Sequence, residues 1–443
     1  MENLFALMVL IAKPHTLIQN WEGSMKKNML HLLVVATSSL LCAAPGVSAK
    51  TFTESMQQGS VVKINFRTRF EDVTEDTLDA TGKKNGEREA DAWTTRSRIS
   101  YQSGAWNGFG FTGEMDNISE MTNDVDYRTS AANTDPLWAE RNTVAVIADP
   151  TGTEVNQAFI SYTNFNNQVK YGRQRLLLDN SRFIGNVGWR QNEQTYDGLS
   201  WTNKTIRYTN FTYAYIKNVN RVFGEDNPAL GDLHMDSHVL NASYTGFDAG
   251  KLIGYAYLLD VNDPLAQLGL TSDTFGVRWQ GTVGESFLYN LEYANQQDAG
   301  AAKLFEADYM LAEATYNVSR YTFTAGYELL GSDEGKYGFA TPLATLHAFQ
   351  GWADKFLATP VAGLEDVYIN AGVTVAGTQT LLSYHKYNSD EGSIDFGDEI
   401  NLSLVKKFGA VVWTAKYAQY SMGDTNANYT DTTKFWLMAD WNF

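Results

Sequence analysis

The chain ends on TKFWLMADWNF, residues 433–443, and this stretch decides the class of fold. Successive side chains of an extended strand point to opposite faces, so the apolar residues of this segment lie on one face. That face comprises Phe435, Leu437, Ala439, Trp441 and Phe443, and the mostly polar face comprises Lys434, Trp436, Met438, Asp440 and Asn442. In water, a terminal strand with these exposed aromatic residues would promote edge pairing between chains. The pattern favours a strand that closes a barrel in a lipid bilayer over the last strand of a soluble β-sandwich.

The composition narrows the class further. The 443 residues contain 13% aromatic side chains, with 24 Tyr and 11 Trp but only 8 Pro. No window in the second half of the chain is apolar enough, over a sufficient length, to cross a membrane as a helix. This excludes a helical membrane protein and leaves a barrel or a soluble all-β fold. The formal net charge of −17 disfavours nucleic acid as a partner.

An N-terminal targeting signal precedes the barrel region. Lys26 and Lys27 form a short basic region, residues 29–41 are mostly apolar, and a run of small residues ends at Ala49. This order is typical of a secretory signal peptide, residues 25–49, and we expect cleavage near Ala49. The apolar region is too short for a membrane anchor.

The rest of the N-terminal region contributes no fold. Met25 is a suitable start for the signal peptide, so residues 1–24 are interpreted as the product of a start codon assigned too early. Cys42, the only cysteine, lies inside the signal and is not preceded by residues that suit a lipoprotein acceptor. We therefore expect residues 50–443 to form a single domain without disulfides or thiolate metal sites.

Eighteen later segments alternate apolar and polar residues over about ten positions, the length of a membrane-spanning strand. They are residues 62–71, 93–102, 108–118, 154–163, 168–174, 195–202, 205–217, 237–244, 251–260, 274–280, 287–296, 308–316, 321–330, 367–373, 380–387, 399–405, 411–420 and 433–443. Short turns alternate strictly with longer connections, and aromatic residues cluster beside the short turns. The sequence predicts an all-β fold, an 18-stranded antiparallel up-and-down transmembrane β-barrel with short periplasmic turns and long extracellular loops.

Three expectations about connections follow from this topology. The last strand, 433–443, should pair with the strand before it and with residues 62–71, which closes the barrel. The acidic stretch 72–91 should be a long loop. Residues 341–356 carry apolar side chains at helical spacing and predict a short helix, which either gates the mouth or packs as a lid on the barrel rim.

Charged residues on the polar strand faces are candidates for the solute path. The basic ones are Lys63, Arg67, Arg69, Arg96, Arg98, Arg278 and Lys416, and the acidic ones are Glu114, Asp116, Glu292, Glu313, Glu328 and Glu399. Opposed charges that face one another across a narrow pore orient and select solutes. The alternative is that neighbouring charges in a polar lumen simply pair.

The stretch 171–198 is the densest in arginine. It holds Arg173, Arg175, Arg182 and Arg190, with Asp179 and Glu193 nearby. Its apolar residues are too many for a solvated external loop, so we interpret it as a loop that folds inward and brings arginines to a constriction. Planar guanidinium groups suit carboxylates and sugar hydroxyls. The alternative is a surface loop packed on its own apolar side chains.

At these residues the chain resembles a known family. The blocks EVNQA (154–158), GRQRLLLDNSRFIGNVGWRQNEQTYD (172–197), NVNRVFG (218–224) and FATPLATLHAFQGWADKFLAT (339–359) resemble signature blocks of the alginate-export family of outer-membrane porins. The resemblance implies an eighteen-stranded barrel with a lumen of arginines and lysines for an acidic polymer. By motif match it makes Arg173, Arg175, Asp179, Arg182 and Arg190 constriction candidates. The acidic overall balance departs from that pattern, so alginate and the direction of transport do not follow from the resemblance.

The predicted function is an outer-membrane channel for diffusion or export of anionic or sugar-like solutes, polysaccharides or oligosaccharides included, with no enzymatic activity and no cofactor. Expected partners are outer-membrane lipid, lipopolysaccharide, the solutes and the barrel-assembly machinery. The last strand resembles those of bacterial outer-membrane proteins, which end on a phenylalanine that this machinery reads, here Phe443. A TonB-type transporter is disfavoured because no plug domain of sufficient length precedes Val62.

Two other classes stay open. One is a barrel hydrolase, with candidate groups at His234, Asp236 and His238 and at His385 near Ser383. The other is a structural or adhesive barrel with a plugged lumen. The eight carboxylates of residues 71–91 suggest calcium at the cell surface, but a solvated, self-repelling loop explains them better.

Overall fold

The computed structural model describes residues 51–122, 127–130, 143–262, 270–300, 304–424 and 429–443. The chain divides into two compact units, Met1–Ser55 and Met56–Phe443, and the second contains every strand of the described ranges. The expected signal peptide, its upstream extension and Cys42 lie outside the described residues. Among the described residues, no helix is both long and apolar enough to cross a membrane.

One helix and twenty strands have the following bounds. The helix α1 is Phe52–Gln57. The strands are β1 Val61–Leu78, β2 Lys84–Gln102, β3 Phe109–Glu120, β4 Gly152–Asn164, β5 Asn167–Gln174, β6 Thr195–Asn203, β7 Thr209–Asn220, β8 Asp232–Phe247, β9 Gly250–Leu259, β10 Ser272–Val283, β11 Phe287–Asp298, β12 Glu306–Val318, β13 Tyr321–Leu330, β14 Ser332–Asp333, β15 Tyr337–Gly338, β16 Leu364–Val375, β17 Thr378–Asn388, β18 Asp395–Phe408, β19 Val411–Ser421 and β20 Thr432–Asn442.

Eighteen of these strands form one closed antiparallel sheet, and β14 and β15 form a small separate hairpin. Each strand of the large sheet pairs with its neighbours along the chain. The last strand, β20, pairs both with β19 and with β1, where Phe66 lies opposite Trp441 and Phe70 opposite Leu437. The predicted all-β fold, the strand count and the closure of the barrel are confirmed.

The two faces of the sheet have the chemistry that the alternation predicts. Aliphatic and aromatic side chains such as Ile99, Ile160, Ile369 and Leu382 are half exposed on the outer face, where lipid is their solvent. On β20, Phe435 and Leu437 are exposed whereas Lys434 and Trp436 are buried. The interior therefore lies on the side of Lys434 and Trp436.

Two expected connections differ in the structure. The acidic stretch 72–91 is not a loop, because β1 and β2 continue as a paired hairpin with a turn at residues 79–83. The strand register places Asp72, Asp76, Glu87, Glu89 and Asp91 on one face of this hairpin and Glu75 on the other. Residues 341–356 form only a single 3-10 turn at Leu346–Ala348 rather than the expected helix. Left-handed backbone at Gln350, Gly351 and Asp354 prevents a regular helix there.

Candidate pore constriction

Two connections fold into the barrel and pair with each other. We call residues 175–194 inner loop 1 and residues 331–363 inner loop 2. The Gly185 amide donates to the Leu343 carbonyl at 2.8 Å, and the Thr345 amide donates to the Ser181 carbonyl at 2.9 Å. Turns with left-handed residues at Asp179, Ser181 and Val187 allow inner loop 1 to reverse direction inside the lumen.

An apolar core fixes inner loop 1 to one side of the barrel wall. Leu176, Leu178, Phe183 and Ile184 are buried in one cluster with tyrosines of β9 and β12. The Phe183 ring lies 5.3 Å from the Tyr255 ring and 5.2 Å from the Tyr309 ring, centroid to centroid. The inward fold of this loop, predicted from its apolar residues, follows from this packing.

Arg182 joins both inner loops to β13. Its Nε donates to Glu328 Oε1 at 2.6 Å, and its Nη1 donates to Thr341 Oγ1 of inner loop 2 at 3.0 Å. Glu328 also accepts from the Tyr309 hydroxyl at 2.7 Å and from the Gln350 side-chain amide. Both members of this ion pair are buried, so the Arg182 guanidinium stabilises the fold and is not accessible to a solute.

Arg190 makes a second connection, at the wall formed by β1 and β20. Its Nη1 lies 2.9 Å from Glu71 Oε2, and its Nη2 lies 3.3 Å from Asp354 Oδ2 of inner loop 2. Lys434 contacts the same Asp354 oxygen at 2.9 Å. Burial alone would raise the pKa of Asp354, but a hydrogen bond with His347 and the charges of Lys434 and Arg190 hold it well below its usual range.

Lys416 occupies an aromatic cage between the two inner loops. Its Nζ lies 4.1 Å from the ring centre of Trp189, 3.7 Å from that of Trp352 and 5.5 Å from that of Trp436. It also lies 2.7 Å from Nε2 of His347, whose Nδ1 is 2.7 Å from Asp354. A neutral imidazole protonated on Nδ1 satisfies both contacts. Burial lowers the pKa of His347 to about 3, so the ring is neutral at physiological pH.

The side chains of Arg98 and Arg175 are partly exposed on the lumen side and share carboxylate partners. Arg98 pairs with Asp116 through Nε at 2.6 Å and with Glu193 at 2.7 Å, and Arg175 Nε pairs with Glu193 at 2.8 Å. Arg175 also contacts Glu114. Burial would raise the pKa of Glu193, but the Arg175 hydrogen bond and the two guanidinium charges outweigh it and lower the pKa to about 2.

Arg67, Arg69 and Arg96 contact the backbone of inner loop 1 from β1 and β2. Arg67 Nη1 donates to the Gly188 carbonyl at 3.0 Å, and its Nε pairs with Asp440 at 3.1 Å. Arg69 donates to the Trp189 carbonyl at 2.6 Å and pairs with Asp149. Arg96 donates to the Gln191 carbonyl at 3.3 Å. These contacts position the loop tip against the barrel wall.

The structure places Arg173 away from this group. Arg173 shares the outer face of β5 with the exposed Tyr171 and pairs with Asp197 at 2.9 Å and with Glu225. It does not join the constriction, because the chain leaves the strand after Gln174 and only Arg175 turns inward.

Asp179, Arg278, Glu292 and Glu399 lie at other positions of the interior. Asp179 accepts from Asn241 of β8 at 2.6 Å. Arg278 Nη1 lies 3.6 Å from Glu292, which accepts from a tyrosine hydroxyl of β9 at 2.8 Å. Glu399 accepts the backbone amides of Trp352 and Ala353 in inner loop 2, the latter at 2.9 Å. Arg278 and Glu292 therefore pair as the alternative of simple charge pairing expects, whereas Asp179 and Glu399 accept hydrogen bonds from uncharged amides.

Several residues of the site were not among the sequence candidates. Asp149 and Asn156 form hydrogen bonds with Gln191 and Glu193 of inner loop 1. Trp352 and Asp354 of inner loop 2 contact Lys416 and Arg190. Asn156 lies at a β-bulge of β4, and the other three residues lie in connections between strands. At such positions the alternation of apolar and polar residues does not predict where a side chain points. Asp354 falls within the block 339–359 that carries the family resemblance, and this was the one indication of its importance.

The groups that suggested an enzyme lie on two separate strands, β8 and β17. His234 and Asp236 are exposed on β8, and His238 Nδ1 lies 2.9 Å from the Tyr213 hydroxyl. His385 pairs with Asp366 at 2.9 Å and stacks with Tyr368 and Tyr387. In the part of the chain that the structure describes, no group of three or more His, Cys, Asp or Glu side chains could hold a metal ion.

The closed barrel, its apolar outer face and its charged interior with inward-folded loops define an outer-membrane β-barrel channel. A family model described as alginate export matches residues 62–329, which is more than half of the sequence. The chain belongs to the alginate export family, as the sequence resemblance predicted.

Solved structures share the fold at low sequence identity. Pseudomonas aeruginosa OccK9 (OpdG) is 12% identical with a TM-score of 0.63, over 88% of this chain and 99% of that chain. Acinetobacter baumannii OccAB2 is 18% identical with a TM-score of 0.63, over 88% and 99%. Acinetobacter baumannii OccAB4 is 15% identical with a TM-score of 0.63, over 86% and 98%. A comparison with curated proteins finds no match.

Proposed function

We propose that this chain is a selective outer-membrane channel for anionic or sugar-like solutes, which pass the constriction beside inner loop 1. The observation that carries the proposal is the exposure of three arginine side chains on the lumen side: 15% for Arg67, 13% for Arg98 and 26% for Arg175. Arg69 and Arg182 have 0% and 1% exposure and serve the structure instead.

The chemistry of the exposed arginines suits oxygen-rich solutes. Arg67 is fixed by one carboxylate, and Arg98 and Arg175 are each fixed by at least two, so the N–H groups that these contacts leave free have a defined direction. Because carboxylates lie between the arginines, the path offers hydrogen-bond donors and acceptors in alternation. Sugar hydroxyls both donate and accept and therefore match this lining, and a carboxylate on the solute would bind the arginine edges.

The remaining parts of the proposal concern the surroundings of the channel. We infer export by a cleaved signal peptide, short turns at the periplasmic end, and lipid and lipopolysaccharide around the outer face. The family membership supports recognition by the barrel-assembly machinery, with Phe443 as the proposed contact.

Single-channel recording in planar bilayers tests the proposal, with Arg175→Gln as the variant and Arg173→Gln as the matched control. Each variant loses one positive charge, and the two positions are only two residues apart. Arg173 is a suitable control because it lies on the outer face of the barrel, away from the lumen. We expect stable conductance in the wild type. Arg175→Gln should shift the reversal potential towards cations, because the carboxylates of Glu114 and Glu193 then lose one of their two guanidinium partners and keep only Arg98.

Two results would contradict the proposal. A protein that folds in detergent but never conducts indicates the plugged structural barrel. Equal reversal potentials in the wild type and in Arg175→Gln show that inner loop 1 does not line the path. The block of the single-channel current by acidic and by neutral oligosaccharides then shows whether the channel prefers anionic solutes or sugars in general.

A further inference from the structure

The outer wall of the barrel carries opposite charges at its two ends. At the long-loop end, Asp72, Glu89 and Asp91 are exposed on the β1–β2 hairpin. At the short-turn end, Arg207 and Arg320 are exposed in turns, and Lys406 lies near the end of β18. The apolar outer face of the barrel separates these two charged zones.

Each of the three cations lies over the ring of an aromatic residue next to it in sequence or two positions away. The charged group is 4.5 Å from the ring centre of Tyr208 for Arg207, 5.2 Å from that of Tyr321 for Arg320, and 4.9 Å from that of Phe408 for Lys406. Arg320 Nη2 also donates to the Tyr321 hydroxyl at 3.1 Å. The three rings are exposed, at 48%, 39% and 57%.

These contacts leave most hydrogen-bond donors of the cations free. A guanidinium has five N–H donors, and each arginine directs one of its nitrogen atoms to the neighbouring tyrosine hydroxyl. Within the described ranges, none of Arg207, Arg320 and Lys406 forms an ion pair with a carboxylate. The acidic residues of the short turns, Asp248 and Glu285, lie in two other turns of the barrel.

We propose that the short-turn end of the barrel binds anionic phospholipid headgroups through Arg207, Arg320 and Lys406. The aromatic rings lie at the membrane–water interface, where they cover the upper acyl chains. The cations stacked on them then reach the phosphodiester oxygens, which a guanidinium fork binds in a bidentate manner. The acidic long-loop end repels the same headgroups, so lipid binding is confined to one leaflet.

The proposal does not depend on conduction and is tested separately. The purified full chain in detergent is titrated with phosphatidylglycerol or phosphatidylethanolamine of identical acyl chains, and native mass spectrometry measures the affinity of bound lipid. The variant is R207Q/R320Q/K406Q. The control, K83Q/K84Q/K336Q, removes the same charge from exposed lysines at the long-loop end.

We expect the wild type and the control to prefer phosphatidylglycerol and the triple variant to lose that preference, by about fivefold per cation replaced. Equal binding of both lipids by the wild type, or an unchanged preference in the triple variant, would overturn the proposal.

If the triple variant does not fold, the single variants R207Q and R320Q should each lose about fivefold in the preference for phosphatidylglycerol, and no loss in either variant refutes the proposal. Complete displacement by inorganic phosphate would show a phosphate site rather than a lipid surface.

Discussion

At the scale of single residues, two neighbouring arginines lie on opposite faces of the barrel wall. Arg173 and Arg175 share strand parity, so alternation alone predicts the same face for both. The structure separates them because β5 ends at Gln174 and the chain then turns into the lumen. Charge and motif treat the two arginines alike, and only the end of the strand distinguishes the arginine on the outer face from the one on the lumen side.

Replacement of the buried Arg182 should destabilise the barrel. Arg182→Met leaves the Glu328 carboxylate without its cation in a site with 5% exposure, which costs about 3–5 kcal/mol. Urea unfolding in lipid vesicles measures this loss. The double variant Arg182→Met with Glu328→Gln should recover most of the stability, because no buried charge remains. A single-variant loss below about 1 kcal/mol would show that the pair does not hold the loops.

The Glu193 carboxylate should give the inner loops a pH dependence. Its pKa falls from 4.5 to about 2 on folding, so its stabilising contribution is complete above pH 4.5 and is lost as the pH falls towards 2. The contribution is roughly 3 kcal/mol. Current noise in bilayers should rise in the wild type between pH 4.5 and 3. Glu193→Gln should lack this rise, and identical pH profiles in both proteins would refute the assignment.

At the scale of elements, the two inner loops act as one insert. Their pairing joins Ile184 to Leu343 across more than 150 residues of sequence, and no periodic pattern signals such a contact. The prediction of a helix at residues 341–356 was wrong for a related reason. Apolar residues at helical spacing also occur in an irregular loop that fixes itself by several side chains, as Leu343 and Phe356 do here.

The close approach of the two inner loops at Gly185 is directly testable. A Cβ at this position would lie 2.1 Å from Thr345 Oγ1 and 2.7 Å from the Ser181 Cβ. Gly185→Ala should therefore separate the loops and increase conductance and current fluctuations. Gly254→Ala, where an added Cβ meets nothing within 4 Å, is the control. Equal recordings from both variants would show that loop pairing does not set the channel width.

The acidic hairpin shows a second limit of prediction at this scale. Residues 72–91 lack apolar alternation because, beyond the lipid, neither face of a strand needs to be apolar. Pairing nevertheless continues to Leu78, and a small buried cluster with Val73, Ala90 and Ala92 supports the inner face. Composition therefore predicted a loop where the strands continue as a paired hairpin.

At the scale of the whole molecule, the barrel itself followed from the sequence. Lipid on one side and a polar lumen on the other impose a period of two on every strand. Antiparallel neighbours place successive connections at opposite ends of the barrel, where short turns lie at one end and longer loops at the other. The terminal segment 433–443 accordingly pairs where the count of eighteen requires. The shape of the lumen could not be predicted from the sequence in the same way, because it depends on contacts between loops that are distant in sequence.

The central claim is that inner loop 1 narrows and selects in a conducting barrel. Its most direct test is the single-channel conductance of a chain in which a short Gly-Ser linker replaces residues 176–192. We expect a folded barrel with a larger conductance and weaker ion selectivity than the wild type. An unchanged conductance and selectivity, or no conductance in either protein, would contradict the claim.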